Sequence, residues 1–349
     1  MNEYERLIKE FGAKEIDSSS SLDFKHFKNG ILYAHRDFDL FLKDLKEGKK
    51  VAIASGANPS GPLHLGHVPV FETNLYFQKK YGLHVFIPIS DDESYVARKI
   101  KTQEEGLKNS IELARDILAF GFDPKKTHFI IDQLNPEIYN FAFKLCRTIT
   151  LSMVKATYGY TDETNVGLAF YPSVQAAHVL LPLLKEYGGH ERTLVPIGID
   201  EDPHLRLARD VAAKNRLTKP SVLLAKFMPG LDGEKMSASK PETAILLRDN
   251  PEVARKKIMK AFTGGRETVE EQRKKGGNPD VCVVYKYLKV LFDTDVREKC
   301  VKGEIICGEC KNMLADKVEK FLNDFQNKLS KITEEDVKAC LITKNLSLS

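Results

Sequence analysis

Short apolar runs alternate with helical periodicity through the first two thirds of the chain. VAIAS (51–55), HVFIPIS (84–90), THFIID (127–132), RTLVPIGID (192–200) and SVLLAKF (221–227) are compact and bounded by turn residues. Runs of that kind read as buried strands. Between them, helical spacing covers about 66–80, 108–120, much of 136–190, and 203–214. Strands that alternate with helices predict an α/β fold: a Rossmann-like, doubly wound parallel sheet. Such sheets bind ligands at the carboxyl ends of their strands. Residues 1–45 read as helical. In HRDFDLFLKDLKEG, Phe38, Phe41, Leu42 and Leu45 fall on one helical face and Gly48 closes it. After about Pro241 the strand signals fade, and ECKNMLADKVEKFLNDFQNKLSKI is amphipathic with mixed charge. The expected division is a helical N-terminal extension (1–48), a Rossmann-like domain (49–242) and a C-terminal all-helical domain (243–349). The serine run Ser18–Ser21 reads as a loop.

Two motifs fall where that sheet would bind its ligand. PSGPLHLGH, from Pro59 to His67, follows a strand and opens a helix. Gly66 permits close backbone approach, and a helix N-terminus favours negative charge. His64 and His67, three apart, share one face of the first turn and suit donation to phosphate oxygens. GEKMSASKP, from Gly233 to Pro241, carries Lys235 and hydroxyls in a Gly-flanked loop. A lysine there neutralises triphosphate charge as a transition state forms.

Composition narrows the class. The 349 residues carry a net charge of +4, with 42% hydrophobic and 29% charged residues, which is globular. The mild basicity allows a polyanionic partner through local patches such as RKKIMK (255–260) and RKK (273–275). No apolar run approaches the roughly 20 residues of a membrane span. The N-terminus lacks the apolar core of a secretory signal, so a cytoplasmic location is expected. Six cysteines are scattered, and only Cys307 and Cys310 form a CxxC. With no second CxxC and no His pair at zinc spacing, they read as incidental helix residues and no metal site is expected.

Taken together and in this order, PSGPLHLGH and KMSAS resemble the two signatures of class I aminoacyl-tRNA synthetases. HRDFD (35–39), DDESY (91–95), YPSVQAAH (171–178), GIDEDPHLRLARD (198–210), FMPGLDGEKMSAS (227–239) and AFTGGRETVEEQRKKGGNPD (261–280) resemble segments of tryptophanyl-tRNA synthetases of the archaeal and eukaryotic type. The resemblance implies a tryptophan–tRNA ligase that uses ATP with Mg²⁺, with tRNA(Trp) and L-tryptophan as partners and a homodimeric assembly. It implies catalytic roles for His64, His67 and Lys235. It places ATP on Gly66, Gly198, Asp200, Met228, Ser237 and Ser239. It places the amino acid on Glu93, Gln175, Glu201, Ala54, Pro88 and His178.

Three of these positions depart from the human-like eukaryotic pattern. Ala54 stands in place of a tyrosine, while Pro88 and Glu201 each stand in place of a glutamine. The tyrosine and the first glutamine satisfy the indole N–H, and neither Ala54 nor Pro88 offers a side-chain acceptor. A tyrosyl enzyme would carry a tyrosine at 54 and an aspartate at 178, and the chain has neither. Three alternatives remain: a tyrosyl-tRNA synthetase, a nucleotidyltransferase with the HxGH motif, and a catalytically silent RNA-binding paralogue.

Overall fold

In the computed structural model, residues 3–16, 22–236 and 240–343 are described. The expected loop Ser18–Ser21 and two expected phosphate ligands, Ser237 and Ser239, lie outside them.

Seven strands form one sheet: β1 (Lys14–Glu15), β2 (Leu32–Arg36), β3 (Val51–Ala54), β4 (His84–Ile89), β5 (Thr127–Ile131), β6 (Arg192–Gly198) and β7 (Ser221–Ala225). Their order is β1-β2-β7-β6-β3-β4-β5. The five strands read from apolar runs pair in parallel, as the doubly wound expectation requires. Every side chain of β3 and β7 is buried, which explains why those runs are continuously apolar. From the central pair β3 and β6, the chain winds one way through β4 and β5 and the other way through β7. This is the topological switch point, where a crevice opens beyond the strand ends.

The N-terminal segment differs from the reading. The helix Phe38–Lys46 forms as expected, but residues 1–48 are not wholly helical. Strands β1 and β2 join the sheet antiparallel, β2 against β7. The buried Arg36 at the end of β2 locks this addition. It makes a two-pronged contact with Asp202, at 2.7 and 2.9 Å, and donates to the Phe11 carbonyl.

The long helix Val166–Leu180 packs against the sheet. By length and composition the 18 residues Val166–Leu183 meet the criteria of a membrane span, which the reading of the sequence did not anticipate. More than half of that stretch is buried within the fold, as in a core helix.

Beyond residue 243, among the described residues, the named elements are all helices, including Pro251–Met259, Val269–Lys275, Val283–Phe292 and Cys307–Leu329. One apolar cluster runs from β3, β4 and β5 into them. Phe71 stacks on Phe120, which meets Phe325 of the long helix edge-on at 5.3 Å.

Candidate active site

Beyond β3 the chain reaches a 3₁₀ turn, Leu65–His67, that leads into the helix Val68–Tyr81. His64 caps this turn. Its Nδ1 accepts the Gly66 N–H at 3.2 Å, and the His67 Nδ1 accepts the His64 N–H at 3.1 Å. A ring nitrogen that accepts holds no proton, so each neutral imidazole carries its hydrogen on Nε2. The two rings stack 3.9 Å apart. Burial, and then the charge of His67, pushes the His64 pKa down to about 3. Burial pushes His67 down to about 4 against the pull of Asp200. Both rings are therefore neutral donors at physiological pH. Gly66 sits beneath them. A Cβ at that position would come within 2.9 Å of the His64 ring and 3.3 Å of the Met236 sulfur.

The lysine loop is tied to the same place. Leu65 N donates to the Ile245 carbonyl at 3.0 Å, and Leu247 N donates to the Leu63 carbonyl at 2.9 Å. These two rungs flank an antiparallel bridge between His64 and Leu246. The return arm of the loop thus runs beside the histidine motif. Gly233, with φ of +94°, makes the turn that a β-carbon would strain. Lys235 Nζ lies 2.9 Å from Asp200 Oδ2 and 4.4 Å from the centre of the Phe227 ring. Both partners are about half exposed, and an exposed pair holds only ~0–1 kcal/mol. A polyphosphate can displace it. Gly198 ends β6, where a Cβ would stand 2.7 Å from Asp200 Oδ1. Met228, just past β7, is buried.

A second set of residues lies around the helix Val166–Leu180. Tyr171, Gln175 and His178 follow a spacing of four and three, which puts them on one stripe. Tyr171 Oη is 2.8 Å from Ser90 Oγ. Gln175 Oε1 accepts from Tyr158 Oη at 2.6 Å, and its Nε2 donates to Glu201 at 3.3 Å. Glu201 also holds His204 at 2.9 Å, and the His204 ring stacks on Tyr158. Burial pushes the Glu201 carboxyl up, but His204 and Gln175 hold it below the usual range. Glu93 accepts from Asn58 and lies 2.9 Å from Lys99 Nζ. His178 Nε2 is 2.6 Å from Asp132 Oδ1, with both side chains buried. The Asp132 carboxyl also lies against that of Asp92. Ala54 and Pro88 are buried and supply apolar wall.

The class I tRNA synthetases (W and Y) match residues 46–323. The chain is 42% identical to a tryptophan–tRNA ligase of Pyrobaculum aerophilum, over 94% of this chain and 92% of that one. It is 41% identical to that of Methanopyrus kandleri, over 95% and 92%. The chain belongs to the class I tRNA synthetases. Among solved structures, tryptophanyl-tRNA synthetase from Aeropyrum pernix superposes with a TM-score of 0.89 at 34% identity, over 99% of this chain and 97% of that one. A product-bound parasite tRNA synthetase reaches a TM-score of 0.92 at 32% identity, over 97% and 96%.

In this synthetase, the described phosphate-side residues from the two motifs meet at the switch point. The amino-acid candidates fall into three local groups: Glu93 with Asn58 and Lys99, Gln175 with Glu201, and His178 with Asp132. Five neighbours escaped the reading of the sequence: Asn58, Lys99, Asp132, Tyr158 and His204. Asp132 had a visible signal, a carboxylate at the carboxyl end of a strand. Tyr158 and His204 had none, since only the packing of separate helices brings them to Gln175.

ATP suits the residues present, since each of the two neutral rings presents an Nε2–H donor and Gly66 carries no Cβ to crowd the His64 ring. For Mg²⁺, one carboxylate trio among the described residues has ligand atoms within 4.8 Å of one another: Asp91, Asp92 and Asp132. Burial, and then the charge of Asp132, pushes Asp92 up to about 8. Burial raises Asp132 well above the carboxylate range. Three crowded carboxyls resist carrying charge together, and Mg²⁺ is expected with the nucleotide rather than in this trio.

Proposed function

We propose that the chain is a soluble, cytoplasmic tryptophan–tRNA ligase, with residues 49–242 as its catalytic domain and 243–349 as its anticodon-binding domain. The relatives' shared activity over nearly the whole chain supports tryptophan. One observation carries the reaction type: the bridge that sets the loop of Lys235 beside two tautomer-locked histidines. The carboxylate of L-tryptophan attacks the α-phosphorus of ATP. A new C–O–P bond forms as the bond to pyrophosphate breaks. His64 and His67 donate Nε2–H groups toward the phosphates, and Lys235 leaves Asp200 to neutralise the departing charge. Mg²⁺, held by the nucleotide rather than by a protein cage, would supply further charge neutralisation. The terminal hydroxyl of tRNA(Trp) then takes the acyl group and releases AMP. Positioning and charge suffice, and no side chain serves as a covalent nucleophile.

Within this reading, Glu93 and Gln175 hold the substrate amino group. The His178–Asp132 pair supplies the acceptor for the indole N–H that residues 54 and 88 lack. The phenol of tyrosine finds neither a tyrosine at 54 nor an aspartate at 178, which disfavours the tyrosyl alternative.

ATP–pyrophosphate exchange tests the assignment. L-Tryptophan is expected to support exchange, with L-tyrosine at least ~10²-fold poorer. His178→Ala is expected to raise the KM for tryptophan roughly 10- to 100-fold with kcat little changed, since an unmet buried donor costs ~1–3 kcal/mol. The chain contains no tryptophan, so bound L-tryptophan can be followed by its own emission. Exchange driven by tyrosine and not by tryptophan overturns the reading.

A further inference from the structure

Four of the six free cysteines, far apart in sequence, come together in the C-terminal helices. Cys282 is the N-cap of the helix Val283–Phe292, and Cys300 lies in the short helix Arg297–Val301. Cys307 and Cys310 lie in the first turn of Cys307–Leu329. All four line one internal cavity, with Gln272 and Tyr285 among its other walls. The remaining two lie elsewhere: Cys146 Sγ contacts the Phe143 carbonyl, and Cys340 Sγ contacts the Pro124 carbonyl.

Burial raises the Cys300 thiol and pushes Cys310 up to about 12, so a metal would have to displace their protons. Tyr285 N–H donates to Cys282 Sγ at 3.4 Å. Cys307, the first residue of the long helix, donates its thiol to Gln272 Oε1 at 3.4 Å. Metal binding would replace that contact, and the helix start partly offsets the cost of negative sulfur there. Two glycines leave room beside the sulfurs. A Cβ at Gly265 would fall 2.6 Å from Cys307 Sγ, and one at Gly277 would fall 2.9 Å from Cys300 Sγ.

We propose that Cys282, Cys300, Cys307 and Cys310 are the ligands of a thiolate-bound metal centre of the iron–sulfur or zinc class. Among the described residues, no three of these sulfurs lie within 4.8 Å of one another. A single tetrahedral zinc, with Zn–S bonds of ~2.3 Å, draws its sulfurs to ~3.8 Å apart. Zinc would therefore have to draw the sulfurs closer together on binding. Binding exchanges four S–H bonds for four sulfur–metal bonds, and the protons leave to solvent.

The centre would tie together the helices Val283–Phe292, Arg297–Val301 and Cys307–Leu329, with the segment around Gln272 packed against it. That segment continues into Arg273, which donates to the Glu304 carbonyl at 2.7 Å and to Glu309 at 2.8 Å. The site stands on the cysteines alone. Its value to RNA binding, through the neighbouring Lys274 and Lys275, rests on the proposed function.

The test uses the full chain, purified anaerobically and reconstituted in separate arms with ferrous iron plus sulfide or with zinc alone. The expected result is iron and sulfide in equal amounts with visible charge-transfer absorption, or about one zinc per chain. Either supports the site, and the arm that loads identifies the centre. Cys300→Ser and Cys307→Ser are each expected to lower bound metal at least ~10-fold. Cys146→Ser and Cys340→Ser are expected to leave it unchanged. Folded wild-type chain that retains less than about a tenth of an equivalent in both arms overturns the proposal. So does a Cys300→Ser, Cys307→Ser double variant that loads like the wild type.

Discussion

Two backbone N–H groups decide what His64 and His67 can do. Each occupies an Nδ1, so each ring presents Nε2–H and cannot act as a base through Nδ1 without breaking the turn. Burial keeps both neutral, at about 3 and about 4. Pyrophosphate exchange should therefore show no limb from these rings near the ordinary histidine pKa of ~6.5. His67→Ala should lower kcat ~10²-fold, the cost of one lost oxyanion donor, and leave the affinity for tryptophan unchanged. The linkage has a definite sign. Between His67's folded pKa of about 4 and the unfolded value of ~6.5, the unfolded chain binds more protons. The stability these rings contribute is present above that window and lost as pH falls through it. Thermal melts of wild type and His67→Gln, compared near pH ~7 and ~5, should show the variant losing less on acidification. A variant that loses as much as wild type, or a rate limb near 6.5 that His67→Gln abolishes, contradicts the tautomer assignment. At this scale the two motifs were legible because their chemistry is local in sequence. The tautomers were not, because they depend on the fold of a single turn. Tyr158 and His204 were not, because their shared partner Gln175 lies 17 and 29 residues away.

Elements show a similar split. The five parallel strands were legible because a strand buried on both faces must be apolar throughout, and a buried run is hard to disguise. Strand β2 was not. LYAHR mixes types, and its edge pairing with β7 depends on the buried contact of Arg36 with Asp202. The four-cysteine cavity was missed for the same reason, since spacing along the chain says nothing of three helix starts that converge. The basic stretches divide into structural and free cations. Arg255 pairs with Asp316 and Glu319, Lys257 with Asp249, and Arg273 with the backbone near Glu304. These cations hold the helices together, so reversing Arg273 would report on folding as much as on RNA. Lys256, Lys260 and Lys274 are exposed and have no ion pair among the described residues, while Lys275 has only an exposed i,i+4 contact with Glu271. Lys274→Glu with Lys275→Glu should weaken tRNA binding and reduce the slope of log affinity against log salt by ~0.7–0.9 for each phosphate no longer neutralised. Exchange without tRNA should be unchanged. An unaltered salt slope would place the RNA surface elsewhere on the molecule.

Across the whole molecule, both ends of the chain cover sheet edges. Strands β1 and β2 extend one side, and at the other Ile342 N donates to the Phe129 carbonyl of β5 at 2.9 Å. Covered edges leave little backbone for another chain to pair with. With the outer strand β1 only two residues long, side-chain surfaces are the place to look for self-association. One such surface is conspicuous on the helices that follow β5. Phe143 is 70% exposed and packs on Phe170, whose own helix begins at Val166, 84% exposed. Leu151, 58% exposed, opens the intervening helix. Large apolar side chains held out together mark an interaction surface more often than an accident. A stable interface needs ~1,000 Å², so the homodimer implied by resemblance is to be tested on this surface. Light scattering behind size exclusion is expected to give twice the 39.4 kDa chain mass for the wild type. Phe143→Glu is expected to shift it toward the monomer. The fold should survive, because an exposed side chain contributes little to stability and its replacement typically costs under ~0.5 kcal/mol. Exchange activity measured on the separated monomer then tells whether each site works alone. A wild type that is monomeric at micromolar concentration removes the dimer, and a variant that keeps the dimer mass moves the interface off this patch.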